Sequence, residues 1–137
     1  MSEFAEINKK VMDEFRENDG KVGGMFEGAP LLILTTKGAK SGQQRQNPLM
    51  YRLDGDRYII FASMAGAPTN PSWYYNAKAT PEVTVEVGAD RFSATAAEIS
   101  GEERDRIWNA QKSEVPMFAE YEEKTDRVIP LVAITRA

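Results

Sequence analysis

Cysteine and histidine are both absent from this chain, and each absence removes a body of chemistry. Without cysteine there are no disulfides and no thiol nucleophile. Without histidine there is no Ser-His-Asp triad, and zinc sites built on either residue go with them. What remains is carboxylate, lysine or tyrosine chemistry, metals held by oxygen ligands, or an organic cofactor that carries the reactive atoms. No apolar run approaches the roughly 18 residues of a membrane span, and residues 1–10 lack the continuous apolar stretch of a secretory signal, so a cytoplasmic protein is expected. Excess positive charge is missing as well. The 17 Lys and Arg against 21 Asp and Glu leave a formal net charge of −4, which argues against nucleic acid as a partner.

What is present fits one ordinary globular domain over residues 1–137, with 42% hydrophobic and 28% charged residues. Phe4, Ile7, Val11 and Phe15 recur at helical spacing behind Ser2, a candidate N-cap, and the pattern stops at Asp19-Gly20. This predicts an amphipathic helix over 1–19, whose apolar face either covers the core or makes peripheral membrane contact. Glycines 20, 23, 24 and 28 make a connector ending at Pro30. Strands are expected at 31–36, 46–53, 57–63, 82–87, 91–99 and 128–135. Asp54-Gly55-Asp56 and Gly88-Ala89-Asp90 serve as hairpin turns. Pro130 within the last segment predicts an edge or bulged strand. Asn70-Pro71 reads as a helix start with Asn as N-cap, and Ser100 with Glu103 reads as a capping box. Six strands in hairpins with a few short helices give an α+β fold, a mostly antiparallel sheet whose natural closure is a small barrel.

No acidic residue lies between Glu27 and Asp54, whereas Lys37, Lys40, Arg45 and Arg52 all fall there. Lys40, Ser41 and Gly42 lie in a turn with free amides, a hydroxyl and flexible cations. It reads either as a solvated basic turn or as a cradle for phosphate or carboxylates. Phe61-Ala62-Ser63-Met64-Ala65-Gly66 places small side chains at a strand end, where a flat ring approaches backbone donors. Trp73, Tyr74, Tyr75 and Asn76 share a short helix. Met117, Phe118 and Tyr121 form a late segment whose acid-base group is the Tyr121 phenol, and they are either core or lid. Glu102-Glu103 and Glu122-Glu123 read as solvated helix faces. No metal site is assigned.

Leu34-Thr35-Thr36, Lys40-Ser41-Gly42, Arg45, Asn47-Pro48, Asn70-Pro71-Ser72-Trp73-Tyr74, Asn76 and Pro81-Glu82-Val83 follow one another in an order that resembles the deazaflavin-dependent nitroreductase family of actinobacteria, over roughly Gly28 to Thr135. The resemblance implies a split β-barrel like that of FMN-binding oxidoreductases, with reduced coenzyme F420 (F420H2) as cofactor. By the same resemblance, Lys40 and Arg45 hold its phosphate and polyglutamate tail, with Ser41, Gly42 and Gln43 adding loop contacts. Asn47 and Pro48 pack at the deazaflavin ring, Ala62, Ser63 and Met64 line it, and Trp73 and Asn76 support the site. The implied reaction passes a hydride to a small electron-poor acceptor, a quinone, enone or nitroaromatic, with a proton from solvent or a phenol, for which Tyr121 is the candidate. The chain departs from the family's nitroreductase by placing Val115 and Phe118 at two tyrosine positions of the late lid, and Met64 where a lysine stands. Cofactor use is therefore carried over further than substrate. Two alternatives stay open: an FMN-dependent oxidoreductase on the same barrel, and a non-catalytic F420- or lipid-binding protein. The oligomeric state is left open.

Overall fold

Strand β1, Leu31–Lys37, carries three consecutive side chains, Leu32, Ile33 and Leu34, that are fully shielded from solvent. A strand apolar on both faces needs cover on each side, and the rest of the fold supplies it. The computed structural model describes residues 3–23, 30–63, 66 and 69–137, with side chains from residue 6 onward. Ser2, Met64 and the Gly24 and Gly28 part of the connector lie outside the described residues.

The elements are helix α1 Glu3–Glu17, β1, strand β2 Gln44–Asp54, strand β3 Arg57–Phe61, helix α2 Ser72–Ala79, strand β4 Glu82–Val87, strand β5 Asp90–Ile99, helix α3 Gly101–Glu114, helix α4 Met117–Glu123 and strand β6 Leu131–Arg136. The strands close into a barrel in the order β1-β2-β3-β6-β5-β4, and every neighbouring pair is antiparallel. The expected α+β split-barrel class is the one observed.

Alternation along the strands sorts side chains onto two faces. Leu32, Leu34, Ile60, Val83, Val85, Phe92, Val132 and Ile134 form the inner cluster, and α2 adds Trp73, Tyr74 and Ala77 to it. Helix α2 is pinned there by the Tyr74 hydroxyl, which donates to Glu98 on β5 at 2.6 Å. Burial, then the facing carboxylate, raises the Tyr74 phenol above its usual range. Outward-facing Ile59, Phe61, Ile99 and Leu131 meet Ile107 and Trp108 of α3 and Phe118 of α4. Val11, Met12 and Phe15 of α1 cover Leu31 and Ile33. Arg16 beside them donates twice to Glu86 on β4, at 3.0 and 2.9 Å. The Val11–Phe15 part of the apolar face of α1 is thus used for packing, while Ile7 is exposed; nothing in this arrangement supports membrane contact. Among the described residues no helix is long and apolar enough to cross a membrane.

Four local expectations are corrected. Pro130 lies just before β6, not within it. That strand is neither an edge nor bulged, because it pairs with β3 on one side and β5 on the other. The proline has no amide to lose from the ladder, and its carbonyl accepts the Ala62 amide at 2.9 Å. Asn70 does not cap α2. Pro71 occupies the N-cap position without a side-chain bond, and the Asn70 amide is used elsewhere. Ser100 is the N-cap residue of α3 but makes no capping bond, while Glu103 pairs with Arg57 at 3.1 Å. Glu122 is no merely solvated carboxylate, since it accepts from the Trp108 indole and from Lys112.

Candidate active site

The turn joining β1 to β2 is built around Gly38 and Gly42. Gly42 has a positive φ of 72°, which favours glycine. A Cβ on Gly38 would stand 2.7 Å from the Ser41 hydroxyl oxygen and 3.2 Å from the Gln43 carbonyl oxygen, so no side chain fits without displacing the turn. Gly38 donates its amide to Gln43 at 2.7 Å, Gly42 donates to Gly38 at 2.9 Å, and the Ser41 hydroxyl accepts the Gln43 amide at 3.2 Å. Lys40 lies at the tip of this turn, and its side chain is exposed.

Helix α2 meets this turn through Asn76. The Asn76 side-chain carbonyl accepts the Ala39 amide at 3.0 Å, and its amide nitrogen donates to the Thr36 hydroxyl at 3.3 Å. Asn76 is buried, and a buried amide with both ends satisfied ties two elements together with defined geometry. On the neighbouring β2 residue pair, Gln46 donates to the Thr35 hydroxyl at 3.3 Å.

Between the turn, β2 and α2 lies an open cleft of about 620 Å³. This is within the range of small-molecule sites. One wall carries Lys40, Ser41, Arg45, Gln46 and Asn47; the other is the uncharged face of α2, with Ser72, Trp73, Tyr75 and Asn76. None of its eleven lining residues is acidic. Among the described residues neither Lys40 nor Arg45 has an ion-pair or hydrogen-bond partner on its side chain, whereas Arg16, Arg52, Arg57, Arg104, Arg106 and Arg136 are all paired. Positive charge is therefore concentrated on one side of a groove whose other side is aromatic and neutral.

Of the residues singled out in the sequence, Lys40, Ser41, Arg45, Asn47, Trp73 and Asn76 line the same cleft. Gly42 and Gln43 shape the turn without forming the wall. Pro48 pairs with Ile33 in the β1–β2 ladder, outside the cleft lining. Ala62 and Ser63 are buried at the end of β3, where their carbonyls accept from Arg127. Arg52 leaves the basic group by pairing with Glu114 at 2.7 Å. Tyr121 does not line the cleft. Its ring packs on Phe118 at 5.6 Å between centroids, in the outer cluster, and burial raises its phenol above the usual range. The structure adds Gly38, Ala39, Gln46, Ser72 and Tyr75 to the site. Tyr75, 52% exposed, was legible only as one of three aromatic residues on a short helix. Which of the three faces solvent depends on how α2 docks.

The chain matches the family described as F420H(2)-dependent quinone reductase over residues 7–136. It belongs to that family. An F420H(2)-dependent quinone reductase of Mycobacterium tuberculosis is 40% identical over 126 residues, which cover 89% of this chain and 85% of the relative. A solved F420-H2 dependent reductase superposes with a TM-score of 0.69 at 43% identity, covering 77% of this chain and 93% of that one. A second solved relative, described as a domain-swapped dimer, gives a TM-score of 0.71 at 39% identity and covers 92% of each chain. Members of this family are oxidoreductases.

Proposed function

We propose that this protein reduces a quinone with F420H2, and that the cofactor lies across the cleft with its anionic tail on the Lys40 and Arg45 wall and its ring toward α2. The observation that carries this reading is the pair of unpartnered cations facing a neutral aromatic wall in a protein of net charge −4. A tail with a phosphate and several carboxylates fits that donor set, because flexible exposed cations and turn amides accommodate extended negative charge. When bound, F420H2 supplies a hydride, which together with one proton converts a quinone to its quinol.

The chain's own contribution is binding and orientation. Lys40 and Arg45 neutralise the tail. Gly38 and Gly42 hold the turn in the shape that presents Lys40 and Ser41, and Asn76 fixes the distance between turn and helix. Asn47 contributes a side-chain amide that has no partner among the described residues and is available to a ring carbonyl. The proton comes from water at the open side of the cleft, since the Tyr121 phenol packs in the outer cluster.

Fluorescence titration with F420 and with FMN, followed by F420H2 oxidation with menadione, tests the reading. Tight, salt-sensitive F420 binding with menadione-dependent turnover is the expected result. Preference for FMN would overturn the cofactor assignment on the same barrel. F420 binding without turnover of any quinone would leave a binding protein in place of a reductase.

A further inference from the structure

Arg127 stands outside the cleft, in the segment between α4 and β6, yet it fastens the segment that leads from β3 to α2. Its Nη1 donates to the Ala62 carbonyl at 2.9 Å and to the Asn70 side-chain carbonyl at 2.7 Å, and its Nη2 donates to the Ser63 carbonyl at 2.8 Å. These acceptors come from the two ends of one connection, residues 62–63 and residue 70. With its carbonyl engaged, Asn70 turns its amide nitrogen to the Tyr75 hydroxyl, 3.4 Å away. Tyr75 is part of the neutral cleft wall. A continuous path of donors therefore runs from Arg127 through Asn70 to the cleft.

The choice of side chain is informative. Two carbonyls and an amide oxygen converge on a planar fork, a geometry that a lysine ammonium on a flexible stem does not reproduce. Burial holds the Arg127 guanidinium below its usual range, so the charge sits there at a desolvation cost. Chain connectivity alone would join β3 to α2, and the inner cluster already docks Trp73 and Tyr74. What Arg127 adds is a fixed orientation of Asn70, and hence of the Tyr75 edge of the wall.

We propose that Arg127 is a positioning residue for the reduction: by holding the Ala62 and Ser63 carbonyls and orienting Asn70, it sets the Tyr75 wall so that acceptor and cofactor meet at reacting distance. This rests on the reading of the cleft as an F420H2–quinone site.

The test uses R127K, N70A and the double variant, each assayed well below its melting temperature. Lys40 and Arg45 are untouched, so the F420 dissociation constant by fluorescence titration is expected to stay within about threefold of wild type. Because an error of about 1 Å at the reacting atoms is costly, kcat with menadione is expected to fall about tenfold or more in R127K and by a smaller factor in N70A. The double variant is expected to be no slower than R127K, as two members of one path must be. The inference is overturned if R127K retains wild-type kcat, if F420 affinity falls in proportion to kcat, or if the two effects multiply in the double variant. Wild-type protein that binds no F420 or reduces no menadione overturns the parent reading and this one together. An active wild type beside an unimpaired R127K overturns this one alone.

Discussion

The side-chain carbonyl of Asn76 accepts the backbone amide of Ala39 at 3.0 Å, joining the middle of α2 to the basic turn. The two residues are far apart in sequence, and their contact sets the width of the cleft. N76A removes an acceptor from the Ala39 amide and a donor from Thr36. We expect F420 affinity to fall by about 1 kcal/mol, because the turn that presents Lys40 and Ser41 is no longer held to α2 by that bond. N76D keeps the acceptor for Ala39 and accepts from the Thr36 hydroxyl in place of donating to it, but brings negative charge to a site for an anion, so it should bind more weakly than N76A. Fluorescence titration of both variants ranks them; the reverse order would remove electrostatics from the explanation.

Lys40 and Arg45 are expected to act on affinity through charge. K40A and R45A should each weaken F420 binding by about 1–3 kcal/mol, the magnitude of a charge-assisted bond. Their effects should shrink as salt rises, because the side chains are exposed and screening is effective there. Titrations at two ionic strengths check this. Unchanged affinity in both variants would remove the tail clamp.

Gly38 offers a steric counterpart. A Cβ at this position meets the Ser41 hydroxyl oxygen at 2.7 Å and the Gln43 carbonyl at 3.2 Å. G38A should displace Ser41 and reduce F420 affinity while the melting temperature changes little, since the turn lies outside all three apolar clusters. Calorimetry beside a binding titration separates the two effects. A large loss of stability with intact binding would contradict the assignment.

The Arg16–Glu86 pair makes a prediction about pH. Its hydrogen bonds from Arg16 hold the Glu86 carboxyl below the usual glutamate range, with burial opposing. A carboxyl whose pKa is lowered on folding stabilises the folded state above the unfolded value, about 4.3, and loses that contribution as pH falls through the lowered one. E86Q should therefore destabilise at neutral pH, on the order of 1 kcal/mol given that Arg16 is partly open to solvent. The difference from wild type should vanish in strong acid. Thermal melts of both proteins across that range decide it, and a constant difference would show that charge is not involved.

The barrel was largely legible because its signals are local. Alternation in 82–87 and 90–99 and the Asp-Gly turn after Leu53 state both strand and connection within a few residues. The basic turn was legible for the same reason, as a run of sequence without acidic residues. What was not legible depends on distant partners. Arg127 resembles any surface arginine until the fold brings Ala62, Ser63 and Asn70 to it. Asn70 before Pro71 has the pattern of a cap, but tertiary bonds to Arg127 and Tyr75 take its side chain instead. Val128, Ile129 and Pro130 extended the last strand because they are apolar or strand-compatible, although Val128 is exposed and Ile129 packs in the outer cluster. Tyr121 and Tyr75 could not be told apart as site residues without knowing which helix lines the groove.

The place of β6 in the ring has a consequence for how the chain is made. It follows the other five barrel strands in the chain, yet it sits between β3 and β5, both synthesised earlier. Until it arrives, the nascent sheet has two unpaired edges, and the hydrophobic rows of β3 and β5 are open to any other extended segment. Arg127 emerges just ahead of β6, so the Ala62 and Ser63 carbonyls gain their donor at the same late stage. The barrel and the Arg127 contacts that hold the end of β3 are therefore completed together.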